Sequence, residues 1–151
     1  MRRVLKKHLH VLQKLLPLLE DFELDLYVSA VEGVADVVDT FLSLLGRSDG
    51  LVVRCAVEGL HRLAVHEPWR RHLAPVVEML LHVLAADYQP YTRECAGVLR
   101  LLSSDRSCRD AIKQGHFTVK QWWKRPLDTG TDSFVRAGVA CALVRVAADS
   151  R

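Results

Sequence analysis

Aromatic residues make up only 7% of the 151-residue chain, and its four cysteines, Cys55, Cys95, Cys108 and Cys141, stand far apart with no close pair. Disulfide frameworks need dense cysteines and zinc sites need closely spaced ligand pairs, so neither is present. The cysteines are expected to be small buried hydrophobes in a reducing compartment. No apolar run reaches the roughly 18 residues of a membrane span. Glycine-rich phosphate loops, nucleophile elbows and kinase elements are all missing, so nothing implies an enzyme, a cofactor or a metal. His8 and His10 are two positions apart and cannot share one helix face. His61, His66 and His72 lie near one another, but no Cys or carboxylate completes a metal-ligand spacing. The pair Asp36 and Asp39 has the spacing of a solvated helix side.

What the chain does have is apolar bulk. Half of its residues are hydrophobic and 26% are charged, with Leu, Val and Ala dominant, which excludes disorder and favours helices packed on helices. The length suits one domain or one block of a repeat array. The formal net charge of +3 is unevenly spread. Residues 1–20 carry five basic groups (Arg2, Arg3, Lys6, Lys7, Lys14) against Glu20, and the remainder carries 16 basic and 17 acidic groups. An acidic stretch follows directly: Asp21, Glu23, Asp25, Glu32, Asp36 and Asp39, with no Lys or Arg before Arg47. A globally basic nucleic-acid binder is not implied.

Apolar periodicity is helical almost throughout. Val52, Val53, Ala56, Leu60, Leu63 and Ala64 follow the i, i+3, i+4, i+7 spacing of one helix face, as do Tyr91, Cys95, Val98, Leu99 and Leu102, and Val135, Val139, Ala142, Leu143 and Val146. Segments 34–45 and 76–86 are apolar nearly all round and must be buried on all sides. No sustained period of two appears, so strands are not expected. Pro68, Pro75 and Pro90 fall where a first helical turn would begin. Gly46 to Gly50 and Asp128 to Asp132 have loop composition, and Pro17 should kink or end a first helix.

The segments repeat. Gly33, Ala74 and Gly115 lie 41 residues apart, each after a short amphipathic segment and before a compact apolar one. Longer helices then align: Arg54-Cys55-Ala56-Val57-Glu58-Gly59-Leu60 over Arg93-Glu94-Cys95-Ala96-Gly97-Val98-Leu99 and, loosely, Ala137 to Leu143. Leu60, Leu99 and Leu143 are 39 and 44 residues apart. This pattern resembles the armadillo repeat family, with HEAT-like repeats as the close competitor. Residues 105–115 match that family's first helix and its Gly, and 33–45, from Gly33-Val34-Ala35 to Leu44-Leu45, match its second helix. The resemblance implies an all-α, right-handed α-solenoid of about three three-helix units (21–65, 66–104, 105–149) within a domain at 21–151. Residues 1–20 precede it as a basic amphipathic helix, a cap or a remnant of an earlier unit. Armadillo proteins that take nuclear-import peptides carry Trp and Asn on each third helix. The matching positions here are Glu58 and Arg62, Gly97 and Leu101, and Cys141 and Arg145, so a receptor of that kind is not implied.

The resemblance implies a non-enzymatic interaction module or scaffold that binds a protein segment along its third helices. Glu58, Arg62, Arg100, Arg136 and Arg145 are the candidate contact residues. Trp122 or Trp123 joins them at the rim, because residues 106–125 hold six basic groups and one acid, Asp110. Adjacent helical residues point about 100° apart, so one Trp is expected in the core and the other as an exposed anchor beside cations. Nucleic-acid stacking is the weaker use of these rings. The alternative reading is an adaptor directed to a membrane or mitochondrion through residues 1–16, whose Leu5, Leu9, Leu12, Leu15 and Leu16 line one side of a basic helix. The expected compartment is the cytoplasm, with the nucleus also open and the mitochondrion tied to that alternative. Segment 132–149 is more apolar than one preceding unit can bury, so a further repeat or self-association is expected to cover it.

Overall fold

A computed structural model describes residues 34–46, 50–86, 91–128 and 131–149. The basic start at 1–20, the acidic residues Asp21 to Glu32, the junction at Gly33, and Pro17 and Pro90 lie outside the described residues. All regular structure described is helical, with no strand among the described residues. The elements are α1 (Val34–Leu45), α2 (Gly50–Val65), α3 (Glu67–Arg70), a 3-10 segment (Arg71–Val76), α4 (Val77–Ala85), α5 (Thr92–Leu102), α6 (Arg106–Thr118) and α7 (Ser133–Asp149).

Periodicity places the long helices within a residue or two. The buried stripe of α2 is Val53, Ala56, Val57, Leu60, Leu63 and Ala64, and that of α7 is Val135, Gly138, Val139, Ala142 and Val146. Each follows the helical spacing that turns one face to the core. The helices stand in two rows. In one, α2 packs against α5 and α5 against α7. In the other, α1 touches the 3-10 segment, and the 3-10 segment and α4 touch α6. Each front helix rests on a rear one: α2 on α1, α5 on α4, α7 on α6. Leu60, Leu80, Leu81, Leu99 and Leu102 are fully buried in the core, as are Trp69 and Trp122.

Helix ends are closed by specific side chains. Asp105 is extended and its carboxylate accepts the Cys108 N–H at 3.1 Å, which starts α6. Asp132 accepts the Phe134 N–H at 2.7 Å and starts α7. The last carbonyls of a helix have no partner within it, and here arginines supply one. Arg70 donates to the Ala64 and Val65 carbonyls at 2.6 and 3.2 Å and to Ser104 Oγ at 2.7 Å. Arg145 donates to the Arg100 carbonyl at 2.7 Å and to Ser103 Oγ at 2.9 Å. Arg109 donates to the Ser103 carbonyl at 3.2 Å and pairs with Asp149.

Three sequence expectations need correction. Gly115 is not a junction, because α6 continues through it to Thr118. No compact second helix follows; residues 119–128 form turns. The Asp105 cap starts the helix and nothing breaks it at Gly115, where the missing side chain makes room for Leu81: an added Cβ would lie 2.1 Å from Leu81 Cδ1. Ala74 likewise sits inside the 3-10 segment, and Pro75 lies inside that segment rather than at the first turn of α4. Trp122 and Trp123 therefore sit on turns, not on a helix. The turn passes through Gln121, whose φ of 53° is a left-handed conformation uncommon for a side chain of this kind.

Candidate functional site

The row of α2, α5 and α7 opens a groove of about 390 Å³ lined by Glu58, His61, Arg62, Arg93, Glu94, Gly97 and Phe134. Its floor is at Gly97, where an added Cβ would meet His61 Cδ2 at 3.6 Å and Phe134 Cε1 at 3.7 Å. At Gly97 the side chains of His61 from α2 and Phe134 from α7 come together over α5. Phe134 is 42% exposed, held at the start of α7 by the Asp132 cap. The Arg93 guanidinium lies over its ring, 4.9 Å from the centroid, a cation–π contact. Glu58 pairs with Arg54 one turn earlier at 3.3 Å. Arg62 also makes a contact within the chain. Glu94 Oε2 is buried without a hydrogen-bond partner. A carboxylate oxygen in that state favours a donor brought by a ligand.

Of the residues named from sequence, Glu58 and Arg62 line this groove. Arg100 is exposed outside it, and its carbonyl serves Arg145. Arg145 is half-buried and closes the end of α5, so it is a structural clamp. Arg136 is half-buried with its Nε buried and unpartnered. Trp122 is wholly buried and donates from Nε1 to His116 Nδ1 at 3.1 Å, which removes it from the rim. Trp123 is half-buried and meets His116 edge-on at 5.2 Å. Burial lowers the His116 pKa, which keeps the ring neutral and able to accept.

Arg93, Glu94 and Phe134 are not among the contact residues named from sequence, and His61 is weighed there only as a metal ligand. A signal for Arg93 is the 39-residue spacing: Arg93 and Gly97 follow Arg54 and Glu58 by the spacing of Leu60 and Leu99. The apolar outer side of α7 is open, with Val144 69% exposed and Ala137, Ala140, Ala147 and Ala148 exposed beside it.

Burial decides the chemistry of the inner cysteines. The Cys95 thiol is pushed far up by burial, with Glu94 adding to the effect. Cys108 is pushed up to about 12, again mainly by burial, and its Sγ donates to the Arg70 carbonyl at 3.0 Å. Neither is a thiolate at neutral pH, so neither is a nucleophile. Cys55 and Cys141 are half-buried. Among the described residues no group of three His, Cys, Asp or Glu side chains is disposed to hold a metal ion. No helix among them is long and apolar enough to cross a membrane.

No protein-family model matches the chain, and no curated protein matches it.

Proposed function

We propose that this chain is a non-enzymatic interaction module, an armadillo-like α-solenoid that holds a protein segment in the groove across α2, α5 and α7. The observation that carries the reading is that three helices, α2, α5 and α7, contribute side chains to one groove. The recurrence of buried Leu60 and Leu99, and of the clamps Arg70 and Arg109, at the same 39-residue spacing supports a repeated unit. Stacked units offer a rigid surface, so a bound segment is ordered at little further cost to the receptor. The groove combines an aromatic wall, a side-chain-free floor and fixed polar groups, the mixture that seats one side chain and orients the backbone around it. Such a module acts in the cytoplasm as a scaffold or adaptor.

The test is selection of peptides from a displayed library by the full chain, followed by fluorescence anisotropy on the selected sequences. Gly97→Leu places a side chain in the groove and should weaken binding at least about tenfold with unchanged circular dichroism, a loss of roughly 1.4 kcal/mol. Equal affinity of the variant, or a library that yields no binding sequence, would refute the proposal.

A further inference from the structure

The most exposed large apolar side chain among the described residues is not in the groove. Phe117, at the end of α6, is 77% exposed. Its surroundings are cationic. Residues 106–128 hold six basic and two acidic groups, while the rest of 21–151 holds ten basic and fifteen acidic. Lys113, half-buried, lies one turn before Phe117, and Arg106 lies further back on the same face with the exposed Asp110 between them. Arg109, hydrogen-bonded to Asp149, holds that carboxyl below the usual range, and Lys113 and Arg106 add to the effect. The end of α7 therefore sits against α6, with Arg109 paired to its Asp149. On the other side of Phe117, the turns of 119–128 fold back on the last turn of α6. The Trp122–His116 hydrogen bond of 3.1 Å and the Trp123–His116 edge contact at 5.2 Å hold them there. Lys120 and Lys124, both exposed, lie on these turns, three and seven residues after Phe117.

We propose that this corner docks on a bilayer surface rich in acidic phospholipid. The Phe117 ring lies at headgroup depth, and Arg106, Lys113, Lys120 and Lys124 face the anionic headgroups. The choice of a membrane over a protein follows from the composition. Protein interfaces centre on a cluster of buried apolar anchors from which charge is depleted. Here one exposed ring stands among cations, since Trp122 is core and Trp123 and Leu127 are half-buried against it. A membrane interface needs only this: amphipathic or aromatic contact at the boundary and cations near an anionic surface. The chain would lie on the bilayer, as no described helix can span it.

The experiment is co-sedimentation of the full chain with two kinds of vesicle, phosphatidylcholine alone and phosphatidylcholine with about a third phosphatidylserine. Binding is expected only to the second, and should fall as salt is raised past the range where surface charge is screened. Lys120→Ala should weaken partitioning about fivefold, the factor that corresponds to about 1 kcal/mol per cation near an anionic surface. Lys120→Glu with Lys124→Glu should weaken it further, and Phe117→Ser should weaken it at unchanged salt dependence. All these positions are exposed, so circular dichroism should not change. Failure to bind the anionic vesicles, or equal binding to both kinds, would overturn the proposal. So would binding that survives these substitutions, which would assign it to other residues such as the basic groups of 1–16. Binding of a polyglutamate peptide at this corner without vesicle binding would assign the surface to an acidic protein partner instead.

Discussion

Replacing Gly97 and Gly138 by alanine, one at a time, should move stability in opposite directions. A glycine inside a helix costs about 0.5–1 kcal/mol relative to alanine, so each replacement begins with a gain of that size. At Gly97 the new methyl meets His61 and Phe134 side chains at 3.6 and 3.7 Å, ordinary van der Waals contact. The net result is stabilisation by about 1 kcal/mol, or a rise of about 2–4 °C in Tm for a chain of this size. At Gly138 the methyl meets the Ala96 carbonyl oxygen at 2.9 Å and its carbonyl carbon at 3.3 Å. Both are backbone atoms, so relief requires α7 to move off α5. Overpacking of this kind costs about 1–3 kcal/mol, which exceeds the propensity gain and leaves a net loss of up to about 2 kcal/mol. Urea unfolding followed by far-ultraviolet circular dichroism reads both changes, provided the slope with denaturant stays constant. Adding Ala96→Gly to Gly138→Ala should not restore stability, because the close approach is to the carbonyl and not to the Ala96 methyl. Equal stabilisation by both alanines would refute the close crossing of α5 and α7.

Three further outcomes follow from the packing. Leu99 is fully buried, so Leu99→Ala should cost about 2–5 kcal/mol in the same urea assay as lost burial plus cavity. Arg70→Ala removes the donors that close α2 and should cost about 1.5–3 kcal/mol, the range for bonds to a charged group; hydrogen exchange should show the loss first at the end of α2. Because burial lowers the His116 pKa below its unfolded value, the unfolded chain takes up a proton first as pH falls through the ordinary histidine range. Stability tied to neutral His116 is therefore complete above that range and declines below it. His116→Gln should flatten this part of the pH–stability curve, and tryptophan fluorescence should report Trp122 losing its partner only in the parent chain.

The long helices were legible because each buries one face against neighbours, and a buried face writes its period into the sequence. Val53 to Ala64 and Val135 to Val146 are such cases. The turns of 119–128 were not legible. Trp122, Trp123 and Leu127 have the composition of a compact helix, and what keeps them from forming one is tertiary: the left-handed Gln121, the His116 partner for Trp122 Nε1, and an α6 that runs past Gly115 because Leu81 fills the space its side chain would take. Part of the groove was legible through the 39-residue spacing in the sequence, which put Glu58 and Gly97 at matching positions. Phe134 was not, since its role depends on the crossing of α5 and α7, and a crossing set by close contact at Gly138 leaves only a glycine as its trace. The arginines were the least legible. A cation at a helix end and a cation facing a partner look alike in a sequence, and only the carbonyls around Arg145 separate them.

That ambiguity bears on how the two surfaces recognise anything. Cations are favoured at helix C-termini by the exposed carbonyls and the dipole, and the guanidinium fork can serve two oxygens at once. Arg70, Arg109 and Arg145 are used in this way, so the formal charge of the chain overstates the charge it presents. In the groove, two arginines and two glutamates balance formally, with Arg93 over Phe134 and Glu58 paired to Arg54. Selectivity there must come from shape and from hydrogen bonds to groups such as Glu94 Oε2, not from attraction at a distance. At the corner of α6 the reverse holds: little apolar area, and an excess of positive charge around Phe117. Screening acts on the second and hardly on the first. Raising ionic strength should therefore release the chain from anionic vesicles while leaving the affinity of a groove-bound peptide almost unchanged, and a groove ligand lost in parallel with the vesicles would mean that both bind by charge alone.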